Sequence, residues 1–225
     1  MKPAPLPMVV LATALSAWLS ACTSSADPED PEDDPTRMSF FITSTGLGNG
    51  ANLGGLAGAD AHCRALAEAA GVTGATWRAY LSANAAGGQP VVHARDRIGR
   101  GPWYNARAAL VARDVANLHS DSTRLDKQTA LSERGEVVNG RGDTPNRHDM
   151  LTGSRLDGTA FPGTEDRTCA NWTSATTGNA QLGHHDRQGG GENPTSWNSA
   201  HLSRSCGQAD LRATGGDALF YCFAL

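Results

Sequence analysis

The chain has 225 residues, enough for one domain of ordinary size behind a leader. Only two of its 19 basic residues are lysines, Lys2 and Lys127, and the formal net charge is −4. Six acids crowd between Asp27 and Asp34; setting these aside with Lys2 and Arg37 leaves 17 acids against 17 bases. A folded part so near neutrality argues against a dedicated nucleic-acid binder.

Residues 1–21 read as a targeting segment. Lys2 supplies a small positive region and Met8–Trp18 an apolar core too short for a typical membrane span. The segment ends Leu19-Ser20-Ala21-Cys22, which resembles the lipobox of bacterial lipoproteins. The resemblance implies a diacylglycerol on the Cys22 thiol and a membrane partner held through that lipid. Each buried methylene contributes roughly 0.8 kcal/mol, so two or three acyl chains anchor firmly. An ordinary secretory cleavage site beside an unrelated cysteine is the alternative. Thr23, rather than Asp, after the cysteine points to the outer membrane by resemblance to Gram-negative sorting rules. Residues 22–37 form a tether: prolines and like charges spread the chain and build no core. A calcium-binding acidic cluster is the competing reading of those carboxylates.

Residues 38–225 carry the folded domain. Met38–Ser44 reads as a first strand with Phe40 and Ile42 on one face, and Thr45–Ala57 as a Gly-rich loop. Ala59, Cys63, Leu66, Ala67 and Ala70 then recur at helical spacing, with Asp60 expected in the first turn and Gly71 as a left-handed C-terminal cap. The period changes to two over residues 77–82: Trp77, Ala79 and Leu81 share one face, Arg78, Tyr80 and Ser82 the other. Residues 83–216 are irregular. Trp103-Tyr104 marks an apolar patch, Leu110–Ala112 a strand and Asp157-Gly158 a tight turn. Asp121–Gly140 reads equally as a short helix or a hairpin. Leu219–Leu225 is apolar and must lie inside the sheet.

The stretch GGLAGADAHCRALAEAAG followed by TWRAYLS resembles the opening of the endostatin domain of collagens, a branch of the C-type-lectin-like superfamily. It is more similar still to a bacterial lipoprotein domain of unknown function. GPWYNAR, LTGS, CANWTS, SWNSAH and GGDALFYCF fit that pattern, over roughly Met38 to Leu225. The resemblance implies an α+β, C-type-lectin-like domain with short helices, a small antiparallel sheet and long disulfide-tied loops. It is nearly silent about activity; the reading is a non-enzymatic module with no cofactor and no nucleic-acid partner that meets a glycan or a protein at its loops, against the alternatives of a metal-dependent envelope enzyme using His184, Asp186 and His201 or a purely structural surface lipoprotein.

Four cysteines besides Cys22 allow three pairings in an exported chain. The resemblance implies the nested one, Cys63–Cys222 and Cys169–Cys206. A cysteine zinc site is disfavoured by the absence of any CxxC.

No GxSxG, P-loop, HExxH or GxGxxG motif is present, so no catalytic residue is assigned. The richest polar group is Gly183-His184-His185-Asp186 with Asn198, Ser199 and His201. His184, Asp186 and His201 are candidate ligands for a divalent metal, against the plainer reading that they satisfy loop backbone. Glu192-Asn193-Pro194 and Trp197-Asn198-Ser199 depart from the calcium-binding triplets of sugar-binding lectins. No histidine cluster precedes Met38 to match endostatin's zinc arm. Trp172 and Trp197 are either core anchors or a sugar-stacking platform. Arg141-Gly142-Asp143 matches an integrin tripeptide and Asn171-Trp172-Thr173 a glycosylation sequon; both arise readily by chance.

Overall fold

A computed structural model describes residues 1–4 and 38–225. Most of the expected targeting segment, the expected lipidation site Cys22 and the expected tether lie outside the described residues. The fold is mixed α+β. In chain order it comprises β1 (Phe40–Ile42), α1 (Gly55–Ala69), β2 (Trp77–Ala79), β3 (Trp103–Tyr104), β4 (Leu110–Ala112) and α2 (Val115–Leu118). There follow β5 (Asp149–Leu151), α3 (Cys169–Trp172), β6 (Gln181–His184), β7 (His201–Leu202), α4 (Gln208–Thr214) and β8 (Gly216–Ala224).

The apolar strand β8 is the axis of the sheet. β1 and β2 both pair antiparallel to its distal half, and β5 pairs parallel to its proximal half. β6 and β7 extend the sheet beyond β5, giving the order β1-β8-β5-β6-β7. The sheet is thus mixed, not antiparallel throughout: β5 and β8 start from the same end because the turn after α4 delivers β8 beside the start of β5, where Asp149 N donates to Gly215 O at 3.0 Å.

Alternation along β8 divides the core. Phe220 and Cys222 face α1 with Phe41, Trp77, Leu151 and Trp172. Leu219, Tyr221 and Phe223 face the loop-rich half with Phe40, Tyr80, Trp103 and Trp197. Both Trp172 and Trp197 are therefore core residues; their indole N–H groups donate to Ser82 O at 2.8 Å and Leu118 O at 3.1 Å.

The helix begins at Gly55 and Gly71 has φ +87°, as a left-handed cap requires. Asp60, however, lies beyond the first turn. It tethers α1 to its surroundings instead, accepting from Ala79 N at 2.9 Å and pairing with Arg78 at 2.9 Å and Arg97 at 2.8 Å. Asp121–Gly140 contains no helix; a bridge between Leu131 and Val137 makes it hairpin-like.

The disulfides are nested, Cys63–Cys222 and Cys169–Cys206. The first staples α1 to β8 across 159 residues and the second closes 37 residues of loop. The inner bridge anchors an unusual segment. Cys169, Ala170, Asn171 and Trp172 all have positive φ, between 49° and 66°, so α3 is a single left-handed turn. That hand costs about 1–2 kcal/mol per residue for L-amino acids. Side chains hold it in place. Thr168 Oγ1 accepts from Asn171 N, Asp166 accepts from Thr168 N and Ala170 N, and Asn171 binds both the N–H and C=O of Asn84. The Asn171 amide is therefore consumed by the fold and is not presented as a glycan acceptor.

Candidate metal centre

The register of three strands assembles a cluster that is dispersed in the sequence. Asp149 opens β5 and pairs across to His184 at the end of β6. His201 opens β7, opposite Leu182 of β6. His148 precedes β5, and the register of β5 against β8 shifts at Asp149/Met150, a bulge of the kind that re-aims a side chain.

Four side chains meet at one oxygen. His148 Nε2, His184 Nε2 and His201 Nε2 lie 3.3, 3.3 and 3.4 Å from Asp149 Oδ1. His148, Asp149 and His184 form the tight set, with ligand atoms within 4.8 Å of one another. The His148 and His184 rings stack at 4.3 Å with 6° between planes, and His201 leans on His184 at 5.0 Å.

The tautomers follow from the opposite ring edges. His148 Nδ1 faces Gln188 O at 3.0 Å, His184 Nδ1 faces Pro194 O at 2.8 Å and His201 Nδ1 faces Leu202 O at 2.9 Å. A carbonyl only accepts, so each Nδ1 carries a proton and each ring turns its Nε2 edge to Asp149. In the neutral form of the rings, lone pairs would point at a carboxylate oxygen. Neither Asp149 oxygen has a hydrogen-bond partner, nor has His184 Nε2, and all three atoms are buried. Buried acceptors facing one another without a donor cost about 1–3 kcal/mol each. Protonating both stacked rings would put two like charges in contact.

A divalent cation resolves the arrangement. A tetrahedral ion with bonds of about 2.0–2.1 Å spaces its ligands about 3.3–3.4 Å apart; the three contacts to Asp149 match that spacing, while only His148, Asp149 and His184 are all mutually close. Three imidazoles and one carboxylate suit zinc or a similar transition ion; calcium and magnesium require more oxygens. The carbonyls behind the rings supply the outer-shell acceptors that metal-bound histidines need. Electrostatics point the same way. Burial pushes the Asp149 carboxyl up, but His184, His201 and His148 bring it below the usual carboxylate value. Burial pulls His148 down, yet Asp186 and Asp149 leave it raised above an ordinary imidazole. His201 is raised by Asp149, against burial. The centre favours positive charge.

Of the sequence candidates, His184 and His201 converge and Asp186 does not. Asp186 sits behind His148, its Oδ1 3.4 Å from Nδ1, while its oxygens accept from Arg141 N at 2.6 Å and Gln188 N at 3.1 Å. It orients a ligand and is not one. His185 faces Asn139 O at 3.2 Å, and burial drives its pKa down to about 4. Asn198 donates to Tyr80 Oη and to Arg155 O at 2.9 Å and to Leu156 O at 3.2 Å, fastening the core. Asp143 is tied to Lys127 and to Gly140 N, so the Arg141–Asp143 turn does not present a free carboxylate.

Sequence reasoning missed His148 and Asp149. A usable signal was the glycine pair 215–216, where a Cβ on Gly215 would lie 3.0 Å from His148 Cδ2 and one on Gly216 3.2 Å from Asp149 Cβ; the glycine run at 189–191 marks His184 and His201, already named. A Cβ on Gly189 would lie 2.2 Å from His184 Cε1, and one on Gly191 would lie 2.7 Å from His201 Cβ. The loop closes over the ligands because it lacks side chains there.

No protein-family model matches the chain, and no curated protein matches it.

Proposed function

We propose that this protein is a lipid-anchored binding module of the bacterial cell envelope, with a C-type-lectin-like, endostatin-like domain whose loop-rich half is pinned by a zinc-class divalent cation. His148, Asp149, His184 and His201 hold the ion, and the long loops meet a glycan or protein ligand. One observation carries the metal part of the reading: three imidazole Nε2 atoms converge, at 3.3–3.4 Å, on a single buried carboxylate oxygen. The lipobox and tether support the anchoring, and the nested disulfides, short helices and central apolar strand support the fold.

A groove of about 320 Å³ suits the loop surface as the ligand-contacting part. Arg155, Leu156 and Phe161 line one side, and Glu192, Asn193 and Ser199 the other. The second wall belongs to the β6–β7 loop, whose carbonyls at Gln188 and Pro194 rest on the ligand histidines. With all four side chains on the ion its role here is to shape the module.

The test is elemental analysis of the full chain, detergent-solubilised and purified without chelator. About one equivalent of a zinc-class ion is expected, and its loss in His184→Ala. Protein that carries no ion and takes up none on reconstitution refutes the metal part. A glycan and matrix-protein array probed with the same chain, binding nothing in several conditions, would sink the binding part.

A further inference from the structure

The four ligands are not equivalent. The His184 and Asp149 side chains are 0% and 1% exposed, His148 6%, and His201 23%. His148 and His184 are braced by carbonyls from distant residues, Gln188 and Pro194. His201 is braced only by its own neighbour, Leu202 O, on a two-residue strand at the edge of the sheet. It also stands outside the tight three-residue set and reaches it through Asp149 Oδ1. Gly190 and Gly191 pass over this side, with open space around Gly190.

Resting on the metal reading above, we infer that His201 is an exchangeable fourth ligand and that the ion enters and leaves at its edge. His148, Asp149 and His184 retain the ion while His201 swings out, so the module binds metal reversibly. The vacated position accepts a small neutral nitrogen donor of the imidazole class. The exchange is a substitution of lone pairs: the incoming nitrogen bonds to the ion as the His201 Nε2 bond breaks. No electron is transferred, and His201 leaves neutral with its proton still on Nδ1. A permanently sealed clamp, by contrast, has no labile position, because all its ligands are equally buried and cross-braced.

The test uses the full chain loaded with cobalt(II), whose visible spectrum reports four-coordination. His201→Ala should weaken cobalt binding about 10-fold and His184→Ala at least about 100-fold. Millimolar imidazole should restore the four-coordinate spectrum in His201→Ala but not in His184→Ala. In the unmutated chain, where folding is not in question, imidazole should speed transfer of cobalt to a chelator several-fold. Equal losses in the two variants, or no rescue and no acceleration by imidazole, overturn the inference while the metal reading stands. An unmutated chain that binds no cobalt and no zinc overturns both.

Discussion

Replacing Asp149 by Asn separates a metal centre from a plain charge cluster, because the two make opposite demands on this position. The side chain is buried, its two oxygens lack partners, and three Nε2 atoms lie 3.3–3.4 Å from one of them. An amide of the same shape brings two N–H donors to that point. At alkaline pH, such as about pH 8.5, deprotonated rings accept from the amide, and two new hydrogen bonds at about 0.5–1.5 kcal/mol each should stabilise the metal-free protein by about 1–3 kcal/mol. In a chain of this size that raises the melting temperature by about 3–10 °C. The variant should at the same time lose most of the gain from zinc, which for the unmutated protein at a thousandfold excess over Kd is about 4 kcal/mol. Scanning calorimetry with chelator and then with zinc reads both. Below about pH 6.5 the order of the metal-free proteins should reverse. His201 and His148 have raised values in the fold, so their pairing with Asp149 stabilises fully below the ordinary imidazole pKa and fades as pH rises through the folded values. A metal-free Asp149→Asn protein that melts lower than the parent at pH 8.5, with an undiminished zinc response, would refute the argument.

Gly189→Ala puts a methyl 2.2 Å from His184 Cε1 and should cost about 1–3 kcal/mol together with a large loss of zinc affinity, read by calorimetry and titration. Zinc affinity should fall as pH is lowered, since His148 and His201, both raised above an ordinary imidazole, hold protons that binding must displace; competition with a chromophoric chelator follows it. The Cys169→Ser, Cys206→Ser double variant should lose about 4 kcal/mol in urea unfolding, from a 37-residue loop freed in the denatured chain. Asp60→Asn should cost about 1–3 kcal/mol by weakening the pairs with Arg78 and Arg97, and it should leave zinc binding unchanged.

Local signals carried the first third of the domain. The three-and-four spacing around Cys63 and the alternation after Trp77 report a face directly; α1 follows the first period, and β2, Trp77–Ala79, covers the first half of the second. Strand β8 was legible because seven consecutive residues at its end have little polarity. The centre was half legible. His184 and His201 stand out in a polar run, but Asp186 beside them has the right chemistry and the wrong side of the strand end. His148 and Asp149 follow Arg147 in an irregular stretch with no periodicity. Their role arises only when β5 takes its place beside β6, a pairing set by contacts 35 residues apart in the chain, Asp149 with His184. The left-handed turn at Cys169–Trp172 was equally hidden, since neither Ala nor Trp favours that conformation and only tertiary bonds impose it.

Strand β8 has a consequence for the order of assembly. β1, β2 and β5 have no partner but this one on their inner edges, and Cys63 finds its sulfur at Cys222 on the same strand. The ladders β3–β4, β5–β6 and β6–β7 can form without it, but β1 and β2 have no place in the sheet until β8 docks. The element that unites the two halves of the core is therefore the last of the described strands to leave the ribosome.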